Sequence, residues 1–247
     1  MTSLTTCADA EAAANRAATE IARRLQSARE KRGAAHLALS GGSTPARTYQ
    51  LLASALESWE GIELWFADER CVGPQDLQSN YRLAKETLLG GTTGLDGQRV
   101  HRMRGELGPD EGARSYELEL REHAPAADDA DDADDALAAL DVIVLGIGPD
   151  GHVASLFPGA STLDAGAQQL CLGVHDSPKP PPERITLTLA VLRAAQRCVL
   201  LATGASKADA VNAMLGEASR HVPASLLRRG RLSVIVDDAA SPTPLQR

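Results

Sequence analysis

The sequence predicts an α/β protein of three layers (α/β/α), in which helices cover both faces of a mostly parallel, Rossmann-like sheet. Short apolar runs of strand-forming residues recur along the 247-residue chain, and segments of helical character separate them. Strands that alternate with helices give right-handed crossovers and hence a parallel sheet. Because 43% of the residues are hydrophobic and we find neither an internal repeat nor a convincing linker, we expect one domain over residues 1–247.

The chain begins with a predicted helix and a predicted strand. An alanine-rich segment, residues 9–32, carries apolar residues four apart and ends before Gly33, which is the pattern of a helix and its stop signal. Residues 36–39 are apolar and are followed by a glycine-rich turn. A second helix begins there, with Thr44 as the predicted N-cap and Pro45 at the first helical position, where a missing N–H group costs nothing.

The later elements follow the same alternation. Two further stretches have helical character, residues 80–89 and 109–123. Apolar runs predict four more strands, at residues 62–66, 142–145, 198–202 and 232–236. Continuous apolar runs are typical of strands that are covered on both faces, which is why we expect helices on both sides of the sheet.

Charge and cysteine content narrow the class of protein. Lys and Arg number 25 against 33 Asp and Glu, a net charge of −8, and this excess argues against a nucleic-acid partner or an anionic membrane surface. Six of the acids lie in the run 128–135, which we interpret as a solvated loop or helix extension. The four cysteines are scattered without metal-ligand spacing, which favours free thiols in a reducing compartment.

No segment reaches the ~20 apolar residues that span a bilayer. The N-terminus also lacks a basic start followed by an apolar stretch, so we expect no secretory signal and a cytoplasmic protein. A proline-rich connector occupies residues 178–183. It could serve as an SH3-type ligand, but we favour a stiff loop that aims the segment after it.

The turns after the strands carry the candidate chemistry, because function in open parallel sheets concentrates at the carboxyl ends of the strands. The first turn, SGGST at residues 40–44, combines two glycines, hydroxyl groups and a helix N-terminus. This combination predicts a cradle for a phosphate, although a tight turn before a capped helix is the alternative. The lysine of a Walker loop is missing. The predicted binding residues are Gly41, Gly42, Ser43 and Thr44.

The second turn places Asp68, Glu69 and Arg70 directly after an apolar strand. Such residues are ordinarily interpreted as a cluster of surface charges. Because they lie at a strand end, we give equal weight to a functional role.

The third turn, GIGPDGH at residues 146–152, fits the letters of a dinucleotide-binding loop. We reject that interpretation because Pro149 removes an N–H group and no strand ending in Asp or Glu follows about 20 residues later. Asp150 and His152 instead form a compact pair of acid and imidazole. A histidine titrates near neutrality and can move protons, while a neighbouring carboxylate can orient its ring. A structural loop histidine is the alternative.

Two cations complete the candidate set. Arg184 follows the proline-rich connector, and Lys207 follows the strand at residues 198–202. Each alone is more often a surface charge. Together with the cradle they indicate a phosphorylated small molecule as the ligand, because Arg can bind a phosphate through two parallel hydrogen bonds.

Taken together and in this order, these segments resemble the 6-phosphogluconolactonase family. The resemblance covers about residues 36–236, and its DGHVASLFPG segment is highly specific. The motifs are LALSGGSTP (37–45), WFADERCV (65–72), SNYRLAKETLL (79–89), VIVLGIGPDGHVASLFPG (142–159), RITLTLAVL (184–192) and GASKADAV (204–211).

The family shares its fold with glucosamine-6-phosphate deaminases and ribose-5-phosphate isomerases. The deaminases carry Asn-Glu-Pro-Gly after the DGH histidine, and that Glu assists opening of the sugar ring. This chain has LFPG at residues 156–159. The deaminases also tend to have Tyr where Arg70 stands, so both departures favour the lactonase.

The resemblance implies hydrolysis of 6-phospho-D-glucono-1,5-lactone to 6-phosphogluconate, the second step of the oxidative pentose phosphate pathway. We expect His152 to act as general base on a water molecule, with Asp150 orienting its ring. Arg70 and the backbone amides of the loop 146–151 would stabilise the oxyanion. Gly148 and Gly151 of this loop are among the predicted binding residues. Four side chains would hold the 6-phosphate, namely Ser43, Thr44, Arg184 and Lys207.

Asp68 and Asn80 are included among the candidate binding residues, although the sequence leaves open whether they and Glu69 touch the substrate or only brace the pocket. We expect no metal, no cofactor, no nucleic-acid or membrane partner, and a monomer. Two alternatives stay open: a deaminase or sugar-phosphate isomerase of the same fold, and a sugar-phosphate sensor without activity.

Overall fold

The computed structural model describes residues 2–126 and 138–242, and six parallel strands form its main sheet. The strands of this sheet are β1 (Thr2–Cys7), β2 (Ala35–Leu39), β3 (Ile62–Phe66), β5 (Val142–Gly146), β8 (Cys198–Ala202) and β9 (Leu232–Asp237). Their order is β1-β9-β8-β5-β2-β3, and every neighbouring pair is parallel. The predicted α/β fold with a mostly parallel sheet is confirmed.

The two described ranges contain seven α-helices. They are α1 (Ala10–Arg32), α2 (Ser43–Ala53), α3 (Asn80–Thr87), α4 (Pro109–His123), α5 (Leu189–Ala194), α6 (Ala208–Leu215) and α7 (Pro223–Leu226). No helix in these ranges has both the length and the apolar character that crossing a membrane requires. The acidic run 128–135 lies outside the described residues.

A second, antiparallel sheet was not predicted. It consists of β4 (Asp68–Arg70), β6 (Cys171–Val174) and β7 (Arg184–Leu187), in the order β4-β7-β6. The three charged residues that we predicted to be a turn after β3 therefore form a strand of their own. In this sheet Arg70 lies directly opposite Arg184, so the second sheet brings two guanidinium groups together.

The two ends of α1 agree with the sequence. Asp9 is the N-cap and accepts a hydrogen bond from the Ala12 N–H at 2.7 Å, while Gly33 ends the helix with a φ of 78°, a backbone conformation that favours glycine. The start of α2 differs from the prediction. Gly42, not Thr44, is its N-cap, with a φ of 114°, so Pro45 is the third helical residue.

The physical reason for this shift lies in the turn itself. Because Gly42 adopts a φ that side chains disfavour, the chain enters the helix immediately after it. The Thr44 hydroxyl is then free of capping and lies 3.2 Å from the Thr203 hydroxyl.

Two buried tyrosines fix the carboxyl ends of β2 and β3. The Tyr49 hydroxyl donates to the Ser40 carbonyl at 2.8 Å and accepts from the Ser40 N–H at 2.9 Å. The Tyr116 hydroxyl makes the same pair of bonds to Phe66, at 3.1 and 2.7 Å. Each phenol therefore completes the hydrogen bonding of the residue at a strand end, just before the chain enters a predicted functional turn.

A histidine and a tryptophan stack in the core beside β3. The His101 ring lies 3.8 Å from the Trp65 ring and is nearly parallel to it. The His101 nitrogens approach Glu63 at 2.9 Å and Glu119 at 3.8 Å. Burial opposes the positive charge, but the two carboxylates outweigh it and hold the pKa of His101 above its usual value.

Candidate active site

A cavity of about 210 Å³ opens beside the carboxyl ends of β2, β5 and β8. Ten of the thirteen predicted site residues line it, although they come from distant parts of the sequence. They are Gly41, Gly42, Ser43, Thr44, Asp68, Arg70, Gly148, His152, Arg184 and Lys207. The other three predicted residues, Asn80, Asp150 and Gly151, do not line the cavity but contact residues that do.

The glycine-rich turn and the start of α2 form one wall. The first N–H groups of a helix have no partner within the helix, so the N-terminus of α2 offers donors to an anion. Gly41 has no room for a side chain, because a Cβ there would overlap the Asn80 amide. The Ser40 hydroxyl, which was not predicted as a site residue, is buried in this wall and has no partner among the described residues.

His152 and Asp150 are in contact, as predicted. Their Nδ1 and Oδ1 atoms are 2.5 Å apart. An ionised carboxylate can only accept, so Nδ1 carries a proton, and in the neutral ring the lone pair lies on Nε2. Burial lowers the pKa of His152, and the favourable interaction with Asp150 offsets this only in part. Burial opposes the charge of Asp150 too, but His152 and then Lys179 outweigh it and keep the pKa of that carboxyl low.

Gly148 and Gly151 shape the loop that carries this pair. A Cβ on Gly148 would overlap the His152 ring and the Asp150 carboxylate, so the pair requires glycine beneath it. Gly151 has a φ of 81° and packs against Val222, which makes it a turn residue. The backbone of Gly148 lines the cavity, whereas Gly151 acts on the loop conformation.

Lys179 was missed by the sequence analysis. It lines the cavity, and its Nζ lies 3.2 Å from Asp150 Oδ1 and 3.3 Å from His152 Nδ1. The only sequence signal is that it is the single cationic residue of the connector 178–183. Phe157 was missed as well, and its ring lies 4.7 Å from the His152 ring and 5.6 Å from the Arg184 guanidinium carbon.

Arg184 is buried and organises the proline-rich connector. Its Nε donates to Pro181 O at 3.1 Å, and its Nη2 donates to Lys179 O at 3.0 Å and to Pro180 O at 3.2 Å. The predicted stiff loop therefore owes its shape to this guanidinium. Arg184 stands at the start of β7 in the small sheet. Burial lowers its pKa, and the charge of Arg70 lowers it further.

Lys207 and Arg70 bring two more cations to the cavity. Lys207 donates to the Ile147 carbonyl at 2.8 Å, which fixes its ammonium group beside the loop of Gly148. Arg70 Nη1 donates to Gln78 O at 2.7 Å, while its Nε is buried and has no partner among the described residues. A cavity with four cationic side chains on its wall is electrostatically suited to an anion.

The carboxylates near the cavity have different surroundings. Asp68 lines it and accepts from the Ser155 hydroxyl at 2.8 Å and from Asn80 Nδ2 at 3.0 Å. Glu69 is turned away and accepts from the N–H groups of Asn80 and Tyr81, at 2.7 and 2.8 Å. Glu69 and Asn80 therefore contact residues of the cavity without lining it themselves. In the described part of the chain no three histidine, cysteine or acidic side chains form a group suited to a metal ion.

Comparison with known proteins identifies the relatives of this chain. Residues 8–236 match the family model described as glucosamine-6-phosphate isomerases/6-phosphogluconolactonase. The chain is 36% identical over 244 residues to a 6-phosphogluconolactonase of Streptomyces coelicolor, covering 94% of this chain and 91% of that protein. It is 35% identical over 232 residues to the 6-phosphogluconolactonase of Rattus norvegicus, covering 90% and 85%. The solved structure of 6-phosphogluconolactonase from Trypanosoma brucei matches with a TM-score of 0.85 at 25% identity, covering 97% of each chain.

Proposed function

The chain belongs to the family of glucosamine-6-phosphate isomerases and 6-phosphogluconolactonases, and from this premise we propose that it hydrolyses 6-phospho-D-glucono-1,5-lactone to 6-phospho-D-gluconate in the oxidative pentose phosphate pathway. One observation carries the proposal for this chain: the His152 ring, whose Nδ1 faces the Asp150 carboxylate, stands in a cavity with four cationic side chains. Two relatives that are 36% and 35% identical to it over the aligned residues are named 6-phosphogluconolactonase.

His152 is the general base of the proposed reaction. Its Nε2 removes a proton from a water molecule while the water oxygen forms a bond to the lactone carbonyl carbon. The resulting tetrahedral intermediate collapses and the bond from this carbon to the ring oxygen breaks. Protonated His152 then returns its proton to the departing oxygen, and the new carboxylic acid ionises in water. Asp150 stays ionised throughout and supports the transient imidazolium.

The cations of the cavity divide the work of binding. Arg70 and the backbone of Gly148 are the proposed partners of the oxyanion. The start of α2, through Ser43 and Thr44, holds the 6-phosphate together with Lys207 and the Nη1 atom of Arg184, which makes no hydrogen bond among the described residues. Arg70 and Arg184 face each other across β4 and β7, and the negative charges of the bound substrate relieve the repulsion between these like charges.

The other activity in the family name receives less support from the site. The deaminases have a glutamate that assists ring opening just after the DGH histidine. In this chain an apolar ring, that of Phe157, packs against His152 in that region. Phe157 cannot supply the acid that assists ring opening in the deaminases.

A direct assay tests the proposal. Freshly generated lactone hydrolyses slowly by itself, so acid release is followed with the wild-type protein, with the His152→Asn variant and without protein. We expect rapid hydrolysis with the wild type only. A parallel assay follows ammonia release from glucosamine 6-phosphate. Ammonia release without lactone hydrolysis would replace the lactonase assignment by the deaminase one, and binding of 6-phosphogluconate without either activity would indicate a sensor.

The proposal includes the expected form of the protein. We propose a monomer, and one hydrophobic cluster that includes residues of both sheets supports a single domain. Strain in the lactone ring makes its carbonyl electrophilic, so the proposed reaction uses neither metal nor cofactor. The four cysteines are free thiols, in keeping with a cytoplasmic location.

A further inference from the structure

We infer that Lys179 is a positioning residue for the Asp150 and His152 pair, and that Arg184 holds it in place through the backbone of the connector 178–183. The role in the reaction rests on the proposed function. The contacts themselves do not, so they can be tested without any substrate.

Lys179 and His152 share one acceptor atom. Asp150 Oδ1 lies 2.5 Å from His152 Nδ1 and 3.2 Å from Lys179 Nζ. Nδ1 and the ammonium group both donate, so their 3.3 Å separation is a contact between two donors that converge on one oxygen. A carboxylate oxygen has two lone pairs, and both are used here. The carboxylate is thereby held from two sides, and the imidazole keeps the tautomer that leaves Nε2 free.

Hydrogen bonds also hold the backbone of Lys179 in place. Its carbonyl accepts from the Ser177 hydroxyl at 2.8 Å and from Arg184 Nη2 at 3.0 Å, and its N–H donates to the same hydroxyl at 3.2 Å. Arg184 also binds the carbonyls of the next two prolines. One buried guanidinium thus fixes three consecutive carbonyls, and the same residue lines the cavity at its cationic side. Arg184 therefore links a bound anion to the catalytic pair, because it contacts the backbone of Lys179 and Lys179 contacts Asp150.

The charges around His152 give the inference a measurable consequence. Asp150 from its own loop and Asp68 from β4 favour the imidazolium, while burial and the Lys179 ammonium disfavour it. Lys207 is close enough to Lys179 and Asp150 to interact with the charges of both. Removing the Lys179 charge therefore raises the pKa of His152 and lowers the fraction of neutral base on the acid side of neutrality.

The experiment measures the titration of His152 in the absence of substrate. The Cε1–H proton signal is followed by NMR from pH 4.5 to 9, and the signal that disappears in His152→Asn assigns it among the six histidines. We expect Lys179→Met to raise the midpoint by about one pH unit. Lys179→Arg keeps the charge and should restore it. The control is Lys85→Met on the exposed face of α3, which should leave the midpoint unchanged.

The reaction gives the second readout. The acid limb of the pH profile of kcat/KM should move upward in Lys179→Met by the same amount as the NMR midpoint. A raised KM with an unchanged midpoint would make Lys179 a phosphate ligand and would overturn the inference. A wild-type protein without lactonase activity would refute the proposed function, whereas a shifted midpoint in the same preparation would still support the placement of Lys179.

Discussion

The Tyr49 hydroxyl gives the most direct test of how the phosphate cradle is built. Tyr49 is fully buried, and its hydroxyl satisfies both the N–H and the carbonyl of Ser40 at 2.9 and 2.8 Å. The Tyr49→Phe variant keeps the ring and removes only the oxygen. Both backbone groups of Ser40 then stay buried without a partner, directly before the glycines of the cradle.

The loss of stability follows from the unpartnered N–H and carbonyl of Ser40. A buried polar group that loses its partner costs about 1–3 kcal/mol, so two of them give about 2–4 kcal/mol when partial relaxation is allowed. In urea unfolding we expect the free energy of unfolding to fall by this amount, while the m-value, its slope against urea concentration, stays unchanged. Because Ser40 precedes the helix that cradles the phosphate, KM should rise as well, while kcat falls less.

A matched variant separates stability from binding. Tyr116→Phe removes the same pair of bonds from Phe66 and should destabilise the protein by a similar amount, with a smaller effect on KM, since Phe66 does not precede the cradle. A loss below about 0.5 kcal/mol in Tyr49→Phe, less than one ordinary net hydrogen bond, would refute this account of the strand ends.

Three further predictions concern the catalytic pair and the buried histidine. His152→Asn should lower kcat by about 10²–10⁴-fold with little change in KM, as measured by initial rates of lactone hydrolysis. Gly148→Ala forces the His152 ring aside and should lower kcat by about 10²-fold, whereas Gly97→Ala, where a Cβ meets open space, should not. The pKa of His101 is raised in the folded protein, so its contribution to stability is complete below pH 6.5 and is lost as the pH rises through the folded pKa. The difference in unfolding free energy between wild type and His101→Asn should therefore shrink across that range, and a difference independent of pH would contradict the assignment.

Most of the main sheet could be predicted because apolar residues predominate in five of its six strands. The predicted strand at residues 62–66 and the predicted helix at residues 109–123 have the bounds of β3 and α4. The strand β1 was missed because its sequence, TSLTTC, has one large apolar residue and half-exposed positions, as an edge strand permits. The short strands β4 and β7 were missed because three or four residues, some of them charged, give no periodicity. Their pairing is determined by tertiary structure.

The site was predictable where a turn has its own chemical signature. SGGST and GIGPDGH each combine glycines with the reactive groups they serve, and the structure brings both turns to one cavity. Lys179 gave no such signal, since only the fold of the proline-rich connector takes it to Asp150. The sequence also did not predict that Arg184 both lines the cavity and holds the connector. Its hydrogen-bond partners there are backbone carbonyls, and a pattern of side chains does not indicate these. The roles proposed for these residues stay predictions until the variants are measured.

The pairing of β1 with β9 constrains the order in which the chain can fold. Ser3 and Ser233 are neighbours in the sheet although 230 residues separate them, and β9 lies between β1 and β8. A ribosome therefore delivers the first strand long before its partner exists. Until residues 232–237 arrive, β8 has an open edge and β1 has no neighbour in the sheet, so the growing chain carries an unpaired β1 and an unpaired edge in its half-built core. The later synthesis of β9 closes both.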